Sequence, residues 1–390
     1  MKITGIICEY DPFHNGHRYL VERAREGSDA VVCVMSGNLT QRGSMAIVDK
    51  YTRAEMAVRG GADLVLELPY PYSSASAEFF ASAGVSVLSS VGVDRLCFGS
   101  ESGDMEKLMR AAYVARSLDT EADREAGTAD GYFTALGKAY EDAYGESFCP
   151  ASNDILGIEY CKTILAGGYA VKPFAVKRQG DSFRADAVTD GEFASATALR
   201  RLIREEGIDA ITPYVPEDTA RLLGEAISRG DAPVDITRIG SAVLSFFRLA
   251  DPERLSALAE LGGGLGNRIC EAARDAVSLS ELLARVATKK YTDARIRRAI
   301  LFAMTGVTTN DLRAPVGYAT VLAATARGCE LLSRLRKEAR GIPVITKPAD
   351  GKTVHPRQYA LSLASDSLFT LAQPTARPAG EYIRKNPVIL

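Results

Sequence analysis

Residues 3–25 read ITGIICEYDPFHNGHRYLVERAR, and this stretch decides the fold. Its apolar beginning predicts a buried strand, and the segment from Gly16 onward predicts a helix. His14 and His17 lie between these elements, on either side of Gly16. A glycine lets the backbone approach a ligand, and the free N–H groups at a helix start attract phosphate. The stretch therefore predicts a phosphate site, where both histidines donate hydrogen bonds to charge that grows during phosphoryl or nucleotidyl transfer.

Two other interpretations of the histidine pair stay open at this point. The pair could bind a metal ion, but the chain has only three histidines, which makes a poor zinc set, and no metal site is predicted. The imidazoles could also cap a helix or pack in the core. The sequence has neither a GxxxxGK phosphate loop, nor a GxGxxG after a strand, nor a GxSxG nucleophile turn. It therefore indicates none of the enzyme classes that carry those motifs.

The first hundred residues alternate between short apolar strands and longer helical segments. Further strands are predicted at DAVVCVM (29–35), DLVLELP (63–69), DRLCFGSE (94–101) and PFAVKR (173–178). This alternation predicts parallel βαβ units, whose ligands bind beyond the carboxyl ends of the strands. After about Thr237 the pattern is almost wholly helical, although VITKPADGK (344–352) predicts a strand or turn. The prediction is an α/β fold: a Rossmann-like parallel-sheet domain (residues 1–235) followed by a mostly α-helical C-terminal domain (residues 236–390).

Composition narrows the class of protein further. The chain has 390 residues, of which 46% are hydrophobic and 25% charged, so it should fold, and its length favours two or three domains. No run of eighteen apolar residues occurs, so no membrane span is expected, and the N-terminus does not resemble a signal peptide. The seven cysteines are scattered without a CxxC pair. We therefore expect a reduced, cytoplasmic protein without a disulfide framework.

Charge is unevenly distributed along the chain. From Arg285 to the C-terminus there are 18 lysines and arginines against 7 acidic residues, a net of +11, whereas the preceding residues have a net of −13. This asymmetry indicates that the C-terminal part binds a polyanion, although a solvated helix surface would give the same pattern. The basic cluster that would bind the polyanion comprises Lys289, Lys290, Arg295, Arg297 and Arg298.

The segment GIICEYDPFHNGH resembles the HxGH signature of the nucleotidylyltransferase superfamily. More specifically, the chain resembles the bacterial tRNA(Met) cytidine acetate ligase family. The segments that carry this resemblance are EYDPFHNGH, MSGNLTQRG, ADLVLELP, CFGSESGD, SNDILGIEY, VKRQG, ASATALR, YTDARIRR and VITKPAD. The chain departs from the family at Asp11, where Asn is expected, and at Leu39, where an aromatic residue is usual. Asp11 would place a negative charge beside a triphosphate.

The resemblance implies an ATP-dependent ligase with three substrates: ATP, acetate and elongator tRNA(Met). It also makes the basic cluster at residues 289–298 the predicted tRNA-binding cluster. Acetate would attack the α-phosphate of ATP, giving acetyl-adenylate and pyrophosphate. N4 of the wobble cytidine (position 34) would then attack the acyl carbon, forming N4-acetylcytidine and releasing AMP. Mg²⁺ is expected to accompany the triphosphate, and the oligomeric state is left open. Two alternatives are an adenylyltransferase acting on a small phosphorylated metabolite and a non-catalytic RNA-binding protein.

The resemblance also implies roles for particular residues, with His14 and His17 as the catalytic pair. The expected ATP-binding residues are Ile7, Cys8, Glu9, Tyr10, Asp11, Pro12, Phe13, Asn15, Gly16, Gly99, Asn153, Lys177, Arg178, Ser195, Thr197 and Arg200. Packing, turn formation, helix capping or surface solvation would explain several of them equally well. Four residues after the second strand could face acetate or the cytidine, namely Ser36, Asn38, Gln41 and Arg42.

Overall fold

The computed structural model describes residues 1–118, 129–178, 193–338 and 341–390. Eight strands within these residues form one sheet. They are β1 (Ile3–Cys8), β2 (Ala30–Ser36), β3 (Leu64–Leu68), β4 (Arg95–Ser100), β5 (Lys172–Lys177), β6 (Ala319–Ala324), β7 (Val344–Ile345) and β8 (Val388–Ile389). The strand order is β5-β4-β1-β2-β3-β6-β7, and β8 pairs with β6. Strands β1 to β5 are parallel, which confirms the predicted α/β, Rossmann-like fold.

The helices of the described residues connect and cover these strands. They are α1 (Asn15–Arg25), α2 (Lys50–Arg59), α3 (Ala77–Ser90), α4 (Met105–Ser117), α5 (Ala129–Tyr144), α6 (Ser152–Gly167), α7 (Ala196–Glu205), α8 (Glu217–Ser228), α9 (Gly240–Leu249), α10 (Pro252–Leu255), α11 (Leu265–Asp275), α12 (Leu279–Val286), α13 (Asp293–Thr305), α14 (Thr309–Arg313), α15 (Ala326–Glu338), α16 (Gly351–Val354) and α17 (Pro356–Ala372). None of them is both long enough and apolar enough to cross a membrane.

Hydrophobic side chains are buried on both faces of the sheet. In β1, Ile6 and Cys8 pack on the face covered by α1 and α2, whereas Ile3 and Ile7 pack on the face covered by α3, α4 and α6. This alternation follows from the two-residue period of a strand. Because both faces are buried, the first four strands are almost continuously apolar, which is why the sequence predicts them well.

The order of the strands fixes where a ligand can bind. The chain runs from β1 through β2 to β3 on one side, and then crosses to β4 on the other side of β1. Such a reversal in the direction of strand addition opens a crevice at the carboxyl ends of β1 and β4. The loops after β1 and β4 therefore border the same space.

The last part of the chain contains strands that the sequence did not predict. β6 pairs antiparallel with β3, and β8 pairs with β6, so this region extends the N-terminal sheet. The sequence of β6, ATVLAA, is short and rich in alanine, which favours helix and hides a buried strand. The predicted strand or turn at VITKPADGK begins with β7. The boundary predicted at residue 235 therefore separates segments that share one sheet and one hydrophobic core.

Candidate active site

A cavity of about 890 Å³ opens at the carboxyl ends of β1 and β4. Its inner wall includes Cys8, at the end of β1, and Gly99, near the end of β4. The start of α1 contributes His14 and His17 to the same wall. A far wall comes from the C-terminal part of the chain, and it includes Glu260, Thr292, Arg295, Arg298, Thr309 and Arg313. One space thus joins the predicted phosphate site to part of the basic segment.

His14 and His17 cap α1 together. Nδ1 of His14 accepts a hydrogen bond from the N–H of Gly16 at 3.1 Å. The N–H of His14 in turn donates to Nδ1 of His17 at 3.3 Å. The two rings are stacked, with centroids 3.6 Å apart and planes 21° apart. The capping interpretation of the pair is therefore correct for the Nδ1 atoms.

Both imidazoles are neutral near pH 7. Burial, with Arg178 and Arg200 nearby, lowers the pKa of His14 to about 3. Burial, His14 and Arg178 lower the pKa of His17, although a hydrogen bond to the Pro12 backbone opposes this shift. Because Nδ1 of His14 accepts a hydrogen bond, the hydrogen-bond pattern assigns the ring proton to Nε2. Nε2–H of His14 is thus a donor, as the predicted catalytic role requires.

The cationic side of the cavity contains Arg178 and Arg200. Nη1 of Arg200, on α7, donates to the Asp11 carbonyl at 2.7 Å and lies 3.3 Å from the Asp11 carboxylate. The other carboxylate oxygen of Asp11 accepts the N–H of Ile47 at 2.6 Å. The unusual aspartate is therefore turned toward an arginine and a backbone amide, which offsets its repulsion of a triphosphate. Arg178 directly follows β5 and is mostly buried, and this burial lowers the pKa of its guanidinium.

Asn153 is fixed at the start of α6 by a carboxylate. Its side-chain amide donates to Glu101 at 2.6 Å, and its N–H donates to the same carboxylate at 3.1 Å. The N–H of Asp154 donates to Glu101 at 3.1 Å as well. Sequence reasoning missed Glu101, although it lies in the segment CFGSESGD directly after β4. The consequence is that the loop after β4 positions Asn153 at the cavity.

Most of the predicted ATP-binding residues line the cavity, namely Ile7, Cys8, Glu9, Tyr10, Asp11, Gly16, Gly99, Asn153, Lys177, Arg178, Ser195, Thr197 and Arg200. Three predicted residues, Pro12, Phe13 and Asn15, do not line it. Phe13 is fully buried and packs edge-on against Tyr10 with ring centroids 4.9 Å apart. The side chain of Asn15 donates to the Pro213 carbonyl at 3.1 Å. Gln179 and Gly180 of VKRQG lie outside the described residues.

The loop after β2 divides into a buried part and a part that faces the cavity. Ser36 and Asn38 are buried, and the Asn38 amide donates to Asp366 at 2.8 Å. Gln41 and Arg42 line the cavity. The N–H of Gln41 donates to the Glu9 carboxylate at 2.7 Å, which joins this loop to the loop after β1. Leu39, the second departure from the family pattern, is buried in the core.

Arg53 holds the same two loops together, and sequence reasoning missed it. Its guanidinium donates to the carbonyls of Glu9 at 2.6 Å and Ser36 at 3.2 Å, and also to the Gly37 carbonyl. Its Nε donates to the Val48 carbonyl at 3.0 Å. The side chain is completely buried. A buried arginine on a helix gives no signal in one sequence, because its partners are main-chain atoms from distant segments.

The predicted tRNA-binding cluster is divided by the fold. Lys289 and Lys290 are exposed, and Arg295 and Arg297 are half-buried. Arg298 is buried and forms a bidentate ion pair with Glu260, with N–O distances of 2.7 and 3.1 Å. On a helix, adjacent residues point about 100° apart, so one of the two arginines of α13 turns inward. Arg298 therefore does not belong to the exposed basic surface that the sequence predicted.

Among the described residues, no group of three or more His, Cys, Asp or Glu side chains is placed to hold a metal. The stacked histidines face arginines rather than carboxylates, so the charge of this site suits an anion.

A parallel sheet that leads into a histidine-capped helix beside two arginines defines a phosphate-handling enzyme of the HxGH type. The family model described as HIGH Nucleotidyl Transferase matches residues 1–381. A tRNA(Met) cytidine acetate ligase of Acetivibrio thermocellus is 35% identical over 420 residues, with all of both chains covered. The enzyme of the same name from Caldanaerobacter subterraneus subsp. tengcongensis is 36% identical, over 95% of this chain and 96% of the relative.

Solved structures agree with these relatives over the full length. Thermotoga maritima TmcAL in its apo form superposes with a TM-score of 0.92 at 32% identity, covering 100% of both chains. The same protein bound with alpha-thio ATP gives a TM-score of 0.90 at 31% identity, again over 100% of both chains. The chain therefore belongs to the tRNA(Met) cytidine acetate ligase family of HIGH nucleotidyl transferases.

Proposed function

We propose that this protein activates acetate with ATP and transfers the acetyl group to N4 of the wobble cytidine of elongator tRNA(Met). The observation that carries the proposal is that one cavity is lined by the histidine pair, by Arg178 and Arg200, and by the wall from the C-terminal part. The names of the relatives and the ATP analogue bound to the Thermotoga maritima protein support it. Because the proposed substrate is a tRNA, we expect the protein to act in the cytoplasm.

In the first step, an acetate oxygen attacks the α-phosphorus of ATP, and the bond to the leaving pyrophosphate breaks. Negative charge grows on the α-phosphate oxygens and on the pyrophosphate. The Nε2–H of His14 donates a hydrogen bond to this charge. The ring of His17 stacks against the ring of His14 and fixes its orientation. Arg178 and Arg200 also stabilise the phosphates, since preorganised donors act most strongly in a buried site. Lys177 adds a third, exposed cation.

Mg²⁺ is commonly bound by substrate phosphates and one or two carboxylates. Two carboxylates line the cavity near the histidines, Glu9 and Asp11. Asp11 is paired with Arg200, so Glu9 would be the carboxylate that contacts a nucleotide-bound ion. The ion would supply charge neutralisation on the leaving pyrophosphate. Burial raises the pKa of Glu9, and this cation would favour its ionised form.

In the second step, N4 of cytidine attacks the acyl carbon, the bond to AMP breaks, and N4 loses a proton. The base must be unpaired and turned toward the cavity, which a single-stranded anticodon loop permits. Lys289, Lys290, Arg295 and Arg297 would hold the RNA backbone beside the cavity. Arg295 lies 5.3 Å from the ring centroid of Tyr291, which keeps its guanidinium close to the surface that the lysines share.

The test measures acetate-dependent exchange of pyrophosphate into ATP, followed by transfer of labelled acetate to total bacterial tRNA and identification of the labelled nucleoside. We expect His14→Ala and His17→Ala each to lower the exchange by about 100-fold or more, because the first removes a transition-state donor and the second removes the stacked ring that positions it. His355→Ala is the matched control, because His355 also caps a helix but does not line the cavity. Exchange that needs a phosphorylated metabolite instead of acetate, or binding of ATP and RNA without turnover, would contradict the proposal.

A further inference from the structure

The far wall of the cavity contains an unusual backbone conformation. Among the described residues, only Tyr10 and Glu260 have a positive φ without being glycine, at 50° and 64°. Both line the cavity, Tyr10 on the sheet side and Glu260 on the far side. Such conformations are destabilising and occur preferentially at binding sites, where the surrounding structure holds them. Glu260 is therefore a candidate for contact with a substrate.

The side chain of Glu260 forms one half of a fixed ion pair. Its carboxylate accepts Nε–H of Arg298 at 2.7 Å and an Nη2–H at 3.1 Å. The two side chains are only 15% and 11% exposed, so the pair lies inside the cavity wall rather than on the surface. An arginine has five N–H donors, and this contact uses two of them. Within the part of the chain that the structure describes, the pair thus still has donors and carboxylate lone pairs to offer side by side.

Packing holds this pair against the loop that follows β2. Gly43 has a φ of +69°, and a Cβ at this position would lie 2.5 Å from the backbone nitrogen of Arg298. The loop with Gln41 and Arg42 therefore rests directly on α13. On the other side, the N–H of Ala259 donates to the Val307 carbonyl at 2.9 Å. A rigid donor–acceptor pair thus lies in the wall of the cavity that the histidines also line.

The chemistry of the pair fits the edge of one nucleobase. Cytosine presents an N4 amine that donates, beside N3 and O2 atoms that accept. A carboxylate beside a guanidinium presents the complementary pattern, because carboxylates accept from N4 of cytosine and arginine only donates. Uracil reverses the pattern at positions 3 and 4, and would bring its O4 against the carboxylate. Enzymes that modify a base commonly read its Watson–Crick edge in this way.

We infer that Glu260 and Arg298 read the Watson–Crick edge of the acceptor cytosine, with the carboxylate accepting from N4 and the guanidinium donating to N3 and O2. This inference rests on the function proposed above and adds the residues that determine specificity for the base. Arg298 then acts inside the cavity, while the exposed lysines hold the RNA backbone. The role is one of binding and positioning, and N4 still reacts with the acetyl carbon.

The experiment separates base recognition from acetate activation. Glu260→Gln and Arg298→Lys are each assayed for tRNA acetylation and for trapping of acetyl-adenylate by hydroxylamine, a small nucleophile that needs no base pocket. We expect both variants to lower acetylation by about 10-fold or more, the usual discrimination of a bidentate base contact. Hydroxamate formation should change by less than about 3-fold, as expected when the phosphate site is intact. Glu225→Gln is the matched control, from the exposed Arg221–Glu225 pair on α8 (2.8 Å).

A competition assay gives a result that a merely structural role would not produce. Anticodon stem-loops with cytidine or uridine at the wobble position compete with tRNA for the wild type and for each variant. The wild type should prefer the cytidine form, and both variants should lose this preference. Unchanged acetylation, an unchanged preference, or an equal fall in hydroxamate formation would each overturn the inference. If the wild type forms no acetyl-adenylate at all, the proposed function fails instead.

Discussion

Replacing His14 by glutamine should make the stability of the nucleotide-free protein less sensitive to acid. His14 is 6% exposed, and burial with Arg178 and Arg200 nearby lowers its pKa to about 3. In the unfolded chain, a histidine has a pKa of about 6.5. Between these values the unfolded chain binds a proton that the folded protein does not bind. Stability from the neutral imidazole is therefore complete above the unfolded pKa and is lost as pH falls toward the folded pKa.

The size of this effect follows from the pKa difference. Each pH unit in the window changes the free energy of unfolding by about 1.4 kcal/mol. Between pH 6.5 and about pH 4.5, proton uptake by His14 in the unfolded chain should therefore lower the free energy of unfolding by roughly 2.7 kcal/mol. This is a large part of the stability of an ordinary domain. Glutamine does not titrate, and it removes the Nδ1 atom that accepts the N–H of Gly16. The loss of this cap contributes equally at every pH, so the change of the stability difference between two pH values isolates the proton-dependent contribution.

The measurement is urea unfolding of the wild type and His14→Gln at about pH 7.5 and about pH 4.5, with the difference between the two proteins taken at each pH. This difference should shift by about 2–3 kcal/mol in favour of the variant at the lower pH. His355→Gln measures what removal of a capping imidazole does outside the cavity. Parallel stability curves for wild type and His14→Gln would refute the reasoning, because they would mean that His14 is protonated in the folded protein.

Two further predictions concern the charges of the cavity and of the basic surface. Asp11→Asn should tighten ATP binding by about 3–10-fold, measured by titration calorimetry, because it leaves Arg200 without its carboxylate at 3.3 Å; weaker binding would contradict this. Replacing Lys289 and Lys290 by glutamine should reduce the steepness of the plot of log tRNA affinity against log salt concentration by about 1.4. Replacing the exposed Lys138 on α5 by glutamine is the control and should leave this slope unchanged. Equal slopes for the wild type and the Lys289/Lys290 variant would show that the two lysines contact no phosphate.

Much of the N-terminal sheet could be predicted from the sequence, for a definite physical reason. A parallel strand buried on both faces is a short apolar run, and β1 to β4 are such runs between helices. β6 was not predicted, because its six buried residues include three alanines, which suit a helix equally well. Its partner β3 lies about 250 residues earlier in the chain, so no local pattern could reveal the pairing.

The candidate site could be predicted where a residue follows a strand and could not where a side chain reaches across the fold. Gly99, Lys177 and Arg178 lie at strand ends, and the cavity forms where those ends meet. Glu101 and Arg53 act through contacts with segments that are distant in sequence. Charge alone also misled the reasoning, because it grouped buried cations with exposed ones.

Arg53 explains how the two loops of the sheet can be both irregular and fixed. Its guanidinium lies among carbonyl oxygens from the loops after β1 and β2, and no carboxylate of the described residues pairs with it directly. Burial lowers its pKa, while the negative charges of Asp11, Asp49 and Glu9 oppose that shift. The buried charge therefore stabilises the carboxylates that line the cavity and, through its hydrogen bonds, the backbone that carries them. One side chain thus links the loop after β1, which leads to the histidines, to the loop after β2, which packs on α13.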